Sequence, residues 1–312
     1  MAGDQLSEVF DLVEVRGVLS GGFAALGPWV SRADIGDPLK FVAMVRGRAR
    51  LRTDGVGPVE LDAGDVAILN DRSWLEVAGG HGAGPRREIV PDQQLAGVLD
   101  AAHEAHDVVL GGRIELDPAG RALLSEALPP VAHVRAAASA HLRASLHRLF
   151  EEAAGQRAGS AFAIRQYGQL LLLDVLRAHV EQSVLPPGWL KLLTDERLRP
   201  ALTAMHAHPG RTWGLVELAG AAAMSRTSFA ERFRAVAGVP PLTYLNRWRM
   251  LLAQRALRGG DVRVGELADR LGYGSESAFS TAFKRAVGES PLRYRHRVRS
   301  GAAPDGRLRS GG

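Results

Sequence analysis

Two stretches fifty residues apart decide how this chain is read: Ser225-Arg-Thr-Ser-Phe-Ala-Glu-Arg-Phe233 and Ser275-Glu-Ser-Ala-Phe-Ser-Thr-Ala-Phe283. Each opens on a serine that can cap a helix and carries two phenylalanines four residues apart, which share one helical face. The likeness extends on both sides. Glu217-Leu218-Ala219 returns as Glu266-Leu267-Ala268, and Gly238, Pro241, Leu242 and Tyr244 return as Gly288, Pro291, Leu292 and Tyr294. The offset changes from 49 to 50 residues within the stretch between Gly272 and Ser275, so the single insertion falls in a turn. This is a duplicated unit.

Each copy predicts helix, tight turn, helix. In the first, Leu215 to Ala222 forms one helix, Ala223-Met224 the turn, and Ser225 caps a helix that Gly238 ends. Ala219 and Ala268 are small where the paired helices must cross, and Gly272-Tyr273-Gly274 is the second turn. The pattern is that of a helix-turn-helix, whose second helix enters the DNA major groove. With the phenylalanines inward, Thr227, Ala230, Glu231 and Arg234 face or border the base-reading side. Their second-copy equivalents are Ser277, Ser280, Thr281 and Lys284. Arginine can read guanine, glutamate can accept from cytosine, and small methyl-bearing side chains can touch thymine. Ser225, Arg226, Arg232, Ser275, Lys284 and Arg285 flank these positions and suit phosphate contacts.

Charge supports that expectation. Residues 189–300 hold 19 Lys and Arg against 9 Asp and Glu, a net of +10, whereas residues 1–188 hold 18 against 24, a net of −6. A basic module joined to an acidic one is the electrostatic footprint of a nucleic-acid binder. The chain has no cysteine, which excludes disulfides, thiolate metal sites and cysteine nucleophiles. Met1 to Phe10 lacks the basic start and apolar run of a signal peptide, and no apolar stretch approaches the ~20 residues that span a bilayer. A cytoplasmic protein without membrane association is expected.

The motifs resemble the AraC/XylS family of transcription regulators. The first copy followed by Tyr244-Leu-Asn-Arg-Trp-Arg-Met250 carries the resemblance, as does Gly272-Tyr-Gly-Ser-Glu-Ser-Ala-Phe-Ser-Thr-Ala-Phe-Lys-Arg285 followed by Gly288-Glu-Ser-Pro291 and Tyr294-Arg295. It covers residues 189–297 almost continuously. It implies seven helices in two subdomains joined by a long helix from about Pro241 to Arg258, with both recognition helices in successive major grooves. It also implies a transcription activator with duplex DNA and RNA polymerase as partners. Members often carry basic residues where this chain has Glu231 and Thr281, which implies that the second unit serves more for backbone grip.

The rest of the chain divides at Pro186-Pro187-Gly188. Residues 1–130 are expected to form short strands: Phe41 to Arg52, with Arg46, Arg48, Arg50 and Arg52 on one side; a turn at Asp54-Gly55; Val59 to Leu61; a turn at Ala63-Gly64-Asp65; and Val66 to Leu69. Beyond Pro91, a helix over Asp92 to His106, a strand over Val108 to Leu116 broken at Gly111-Gly112, and a helix over Pro118 to Leu128 are expected. Residues 131–187 hold two amphipathic helices, about 135–154 and 160–182, as a linker and dimerisation region in which Leu142, Leu146 and Leu149 mark an association stripe. Residues 188–299 form the DNA-binding domain, with helix-turn-helix units at about 212–238 and 262–288, and residues 300–312 a disordered tail.

The strand pattern is similar to the cupin-type sensor domain of one AraC branch. The fold class is therefore α+β: a cupin-like β-barrel with a helical dimerisation region, then an all-α double helix-turn-helix domain. Cupins also include metal enzymes, so a metal-dependent enzyme domain fused to a DNA-binding module is the alternative. Against it, no histidine precedes His81, and His103 and His106 lack a third ligand nearby. No catalytic residue, metal or cofactor is expected. Trp29, Phe41, Met44 and Trp74 are the candidate lining of a site for a small-molecule effector. The four alternating arginines are expected to be a solvated strand face, and Asp65 a turn residue.

Overall fold

The computed structural model describes residues 5–12, 15–17, 21–82, 84–92, 106–155 and 157–300. The chain forms two compact units: one contains Glu14–Leu185, the other Met1–Val13 with Pro186–Gly312. Two points differ from the expected layout. Residues 131–134 are a strand of the first unit rather than part of a helical linker, and the first helix of the chain belongs to the second unit.

In the first unit β1 (Val15–Gly17) pairs with β11 (Glu115–Leu116). Among the described residues, ten further strands make two five-stranded sheets. One contains β2 (Gly21–Ala25), β4 (Leu39–Arg46), β7 (Val66–Asn70), β10 (Asp107–Arg113) and β12 (Val131–Val134), in the order β12-β7-β4-β10-β2. The other contains β3 (Trp29–Asp34), β5 (Arg48–Thr53), β6 (Val56–Asp62), β8 (Trp74–Gly79) and β9 (Arg87–Glu88), in the order β6-β5-β8-β3-β9. Phe23, Val42, Met44 and Val109 of one sheet pack with Trp29, Leu51, Leu61 and Val77 of the other. The two sheets thus form an open jelly-roll-like sandwich, where a closed barrel was expected.

The expected Phe41–Arg52 strand is two strands meeting at a corner. Gly47 adopts φ +87°, and a Cβ there would lie 1.8 Å from Asp107 Oδ1. Asp107 is fully buried and accepts from Trp29 Nε1–H at 2.7 Å and from the Arg48 amide at 3.4 Å, so the corner is closed around one carboxylate. Beyond it the arginines face solvent in pairs: Arg48 with Asp62 at 2.6 Å, Arg50 with Glu60 at 2.5 Å, and Arg52 with Glu76 at 3.3 Å. At such exposure these pairs contribute little stability, but each offsets its arginine's charge. Asp65 does organise its turn, accepting from the Asp62 amide at 3.1 Å. It also accepts from the Ala136 amide at 2.9 Å and meets His133 Nε2 at 3.0 Å, which ties the turn to β12.

β10 runs unbroken through Gly111-Gly112, because both glycines keep their place in the ladder with β4. Helix α2 (Pro118–Ala127) follows, capped by Asp117, and Asn70 donates to its C-terminal carbonyls. Helices α3 (Ala140–Gly155) and α4 (Ser160–Gln182) pack on each other. Leu142, Leu146 and Leu149 are all buried, as are Leu171, Leu172 and Val175. The leucine stripe expected to lie at an interface is therefore interior. A 3.6-residue period reports burial without saying against what. The expected Asp92–His106 helix, with His103, lies outside the described residues except at its ends, where Asp92 bridges to Gly22 and His106 to the Ala25 carbonyl.

The second unit is helical: α1 (Gln5–Leu12), α5 (Trp189–Thr194), α6 (Arg199–Ala207), α7 (Leu215–Ala221), α8 (Arg226–Ala237), α9 (Pro241–Gly259), α10 (Val264–Arg270), α11 (Glu276–Val287) and α12 (Pro291–Ser300). Helix α1 contacts α9 and lies about two hundred residues from its partners in sequence. Val9 and Leu12 are buried, Gln5 reaches the Arg199 carbonyl and Thr203, and Arg258 donates to the Leu12 carbonyl at 2.6 Å. His206 Nδ1 lies 2.7 Å from a Glu8 carboxylate oxygen and Nε2 lies 2.9 Å from the Tyr244 hydroxyl, and the ring stacks on Trp248 at 3.7 Å.

Burial holds His206 below the ordinary histidine pKa, with Glu8 opposing the shift. The unfolded chain takes up its proton near pH 6.5 and the folded chain only below that. The stabilisation is therefore complete above about pH 6.5 and is lost as pH falls toward the folded value. Calorimetry between pH 7.5 and 5 (a range set by that unfolded value of about 6.5) should show a falling melting temperature for this unit, with a shallower fall in His206→Gln. Equal slopes would show that His206 does not couple protonation to stability.

Candidate nucleic-acid interface

Each recognition helix is positioned from its buried side. In α8, Ser225 Oγ accepts from the Ser228 amide at 3.2 Å and Gly238 closes the C-terminus at φ +72°. In α11, Ser275 Oγ accepts from the Ala278 amide at 3.1 Å and Gly288 closes at φ +89°. Phe229 and Phe233 are fully buried with ring centres 5.7 Å apart, and Tyr244 sits edge-on to Phe233 at 5.7 Å. Phe279, Phe283 and Tyr294 repeat this at 5.8 and 5.5 Å. The duplication seen in sequence is thus a duplication of packing.

The turns repeat as well. The Ala223 and Met224 amides bond to the Gly220 and Ala219 carbonyls, and those of Gly272 and Tyr273 bond to Asp269 and Ala268. Gly274 is therefore the inserted residue. Ala223 holds φ +52° where its counterpart Gly272 holds +76°. A left-handed alanine costs roughly 1–2 kcal/mol relative to glycine, so the first turn carries strain that the second does not.

Burying the phenylalanines turns the opposite face outward. Thr227, Glu231 and Arg234 form one exposed stripe, and Ser277, Thr281 and Lys284 form its equivalent fifty residues on. Ala230 and Ser280 are half-buried beside the stripes, and Arg226, Ser225, Ser275 and Arg285 are exposed around them. Two of the expected phosphate contacts sit differently. Lys284 occupies the stripe position of Arg234. Arg232 is half-buried and tied to the buried Asp195 carboxylate through Nη2 at 2.8 Å and Nε at 3.3 Å, which anchors α8 to the segment before α6. Asp195, whose carboxylate also caps the Arg197 and Leu198 amides, carries no sequence signal that would have singled it out.

In the sandwich, none of the four expected effector contacts borders the cavity between the sheets. Trp29 and Met44 fill the core between the sheets, Phe41 lies on the reverse face of β4 by alternation, and Trp74 is 37% exposed. A cavity of about 90 Å³ does lie between the sheets, bordered by Phe23, Ser31, Lys40, Val42, Val77 and Val109 among others. Among the described residues no three His, Asp or Glu side chains are placed to hold a metal ion, and no helix is long and apolar enough to cross a membrane.

A cupin family model matches residues 4–181, and a helix-turn-helix domain model matches residues 218–297. A putative AraC-like transcription regulator of Streptomyces lividans is 35% identical over 297 residues, covering 94% of this chain and 98% of that protein. Another from Streptomyces antibioticus is 36% identical over 298 residues, with the same coverage of both chains. This chain belongs to the AraC-like transcription regulators. The regulator is also 32% identical to the HTH-type transcriptional regulator AlkR of Acinetobacter baylyi, over 63% of this chain and 66% of that one. Of solved structures, the DNA-binding domain of the transcriptional factor AdpA, in complex with a target DNA, is 36% identical over 34% of this chain and 96% of that chain, with a TM-score of 0.33. In this AraC-like regulator the duplicated stripes lie within the residues that the helix-turn-helix model matches.

Core and reading face should separate in mutants of the AraC-like regulator. Phe233→Ala is expected to cost about 3–5 kcal/mol, as a buried aromatic truncation, measured by urea denaturation. Arg234→Ala should leave stability unchanged and relax base preference at one position by about 1–3 kcal/mol, measured by selection from random duplexes. An unchanged selected site would remove Arg234 from the reading face.

Proposed function

We propose that this regulator binds a specific duplex site through Thr227, Ala230, Glu231, Arg234, Ser277, Ser280, Thr281 and Lys284 at base edges, with Arg226, Arg285, Ser225 and Ser275 near phosphates. The observation that carries the proposal is the repetition of one exposed stripe, fixed by one buried aromatic triad, in a unit of strong positive charge. The protein acts in the cytoplasm as a transcription activator that contacts RNA polymerase and responds to a small molecule held by the sandwich. The cavity bordered by Phe23, Lys40 and Val42 supports an effector site better than the four aromatic and methionine side chains first expected. It is proposed to be a homodimer. Phe162 and Leu170, two turns apart on α4 and 62% and 49% exposed, support that better than the buried Leu142 stripe.

The test is a titration of the full chain against its selected duplex at varied salt. Neutralising roughly six phosphates predicts a slope of log K on log salt of about −5, with two chains per duplex at saturation. A flat salt response would contradict the phosphate set, and saturation at one chain would contradict the dimer.

A further inference from the structure

We propose that Arg249, with Gly210 and Gly272, is a brace that fixes the spacing and angle between the two recognition helices and so sets the separation of the two sequence elements the chain reads. The proposal rests on the DNA-binding reading above and adds the residues that set its geometry.

The two helix-turn-helix units have separate aromatic cores. Helix α9 is common to both: Tyr244, Leu245 and Trp248 are buried in its first half, while Met250, Ala253 and Leu257 join the second unit's core with Phe279 and Phe283. A single helix of nineteen residues, about 28 Å long, is a thin connection that can bend. A second contact closes the arrangement. Within the helical unit, the loop Pro209-Gly210-Arg211, ahead of α7 of the first helix-turn-helix copy, lies against the turn between α10 and α11 of the second copy. A Cβ on Gly210 would sit 2.3 Å from the Arg270 carbonyl oxygen, and one on Gly272 would sit 2.0 Å from the Gly210 carbonyl oxygen. The two backbones touch where only glycine permits it, and Gly272 is in the left-handed region as well.

Arg249 projects from the middle of α9 into this junction and is 9% exposed. Its Nε donates to the Pro209 carbonyl at 2.6 Å and its Nη2 to the Arg211 carbonyl at 3.0 Å. The guanidinium lies 5.8 Å from the Tyr273 ring centre. One planar fork therefore grips the loop ahead of α7, and the same guanidinium lies over the ring of Tyr273 in the turn between α10 and α11. Lysine, a point donor, cannot reproduce that fork. The loop is itself held, since Trp213 Nε1 donates to the His208 carbonyl at 3.0 Å and Arg211 stacks on Trp213 at 4.4 Å. Tyr273 lies two residues before the Ser275 cap, so a shift at the junction is delivered to the start of α11. Successive major grooves recur about every 34 Å, and a rigid junction matches only one such spacing.

Arg249 is thus a positioning residue, and the test separates position from fold and from DNA contact. The chain has no cysteine, so Ala235→Cys with Ala286→Cys, both exposed on the recognition helices, gives a unique spin-label pair in the full-length protein. Pulsed electron paramagnetic resonance without DNA should show a narrow distance distribution that broadens in Arg249→Met. On duplexes selected by the wild type, one inserted base pair between the two elements should weaken wild-type binding roughly tenfold, on the scale of a single mismatch. The variant should lose most of that penalty and keep its affinity for a duplex with one element alone. If Arg249→Met fails to fold by circular dichroism, Arg249→Lys is measured in its place, with the same expectation. A folded variant with an unbroadened distribution and an undiminished insertion penalty overturns the brace. Because the resonance measurement uses no DNA, a failure of the DNA-binding reading would leave it intact.

Discussion

A helix of twelve residues is too short to persist in water on its own hydrogen bonds and must bury one face to survive. In α8 and α11 that face is a pair of phenylalanines one turn apart, closed by a tyrosine from the next helix. Once the two rings are buried the rotation of the helix about its axis is set, and the residues on the far side have one direction left to point. The serine cap and the left-handed glycine fix where each helix starts and stops. The exposed stripe of each helix is the remainder of a packing problem solved twice.

Much of this was legible because it is local. The repeat, the caps and the inward phenylalanines each involve residues within one helix or its turn, where periodicity and spacing have a direct geometric meaning. What was not legible depends on partners far away in sequence. Arg232 sits where a phosphate contact would, yet Asp195, thirty-seven residues earlier, holds it. Glu8 pairs with His206 across nearly two hundred residues. The leucines of α3 show a clean stripe, but the stripe does not record that α4 of the same chain covers it. In the sandwich, Phe41 and Met44 were expected to line one site, but three residues apart on β4 they point to opposite faces, and Met44 is the one packed between the sheets. The Gly47 corner was hidden for a related reason: a glycine between two alternating runs signals a bend only when its new neighbour, Asp107, is known.

The electrostatics of the two units differ in kind. On the outer face of β5, three arginines alternate with solvent exposure, but each has a carboxylate on the neighbouring strand, so the row is balanced within the sheet. On the recognition helices, Arg234 and Lys284 stand at equivalent places on exposed stripes that carry one acid between them, Glu231. The chain also leaves its DNA-binding unit after α1, builds the sandwich and its helices, and returns at Pro186. The cupin-like unit is therefore an insertion, in sequence, between two parts of the DNA-binding unit.

The central claim is that a single chain reads two major-groove segments with two equivalent helices. Methylation protection of guanine N7 in the major groove and adenine N3 in the minor groove, on a selected duplex bound by the full-length protein, tests it most directly. Each bound chain should protect two clusters of guanines on one face of the duplex, separated by one helical turn of about 10 base pairs. One cluster per chain, or protection confined to adenines in the minor groove, would contradict the account.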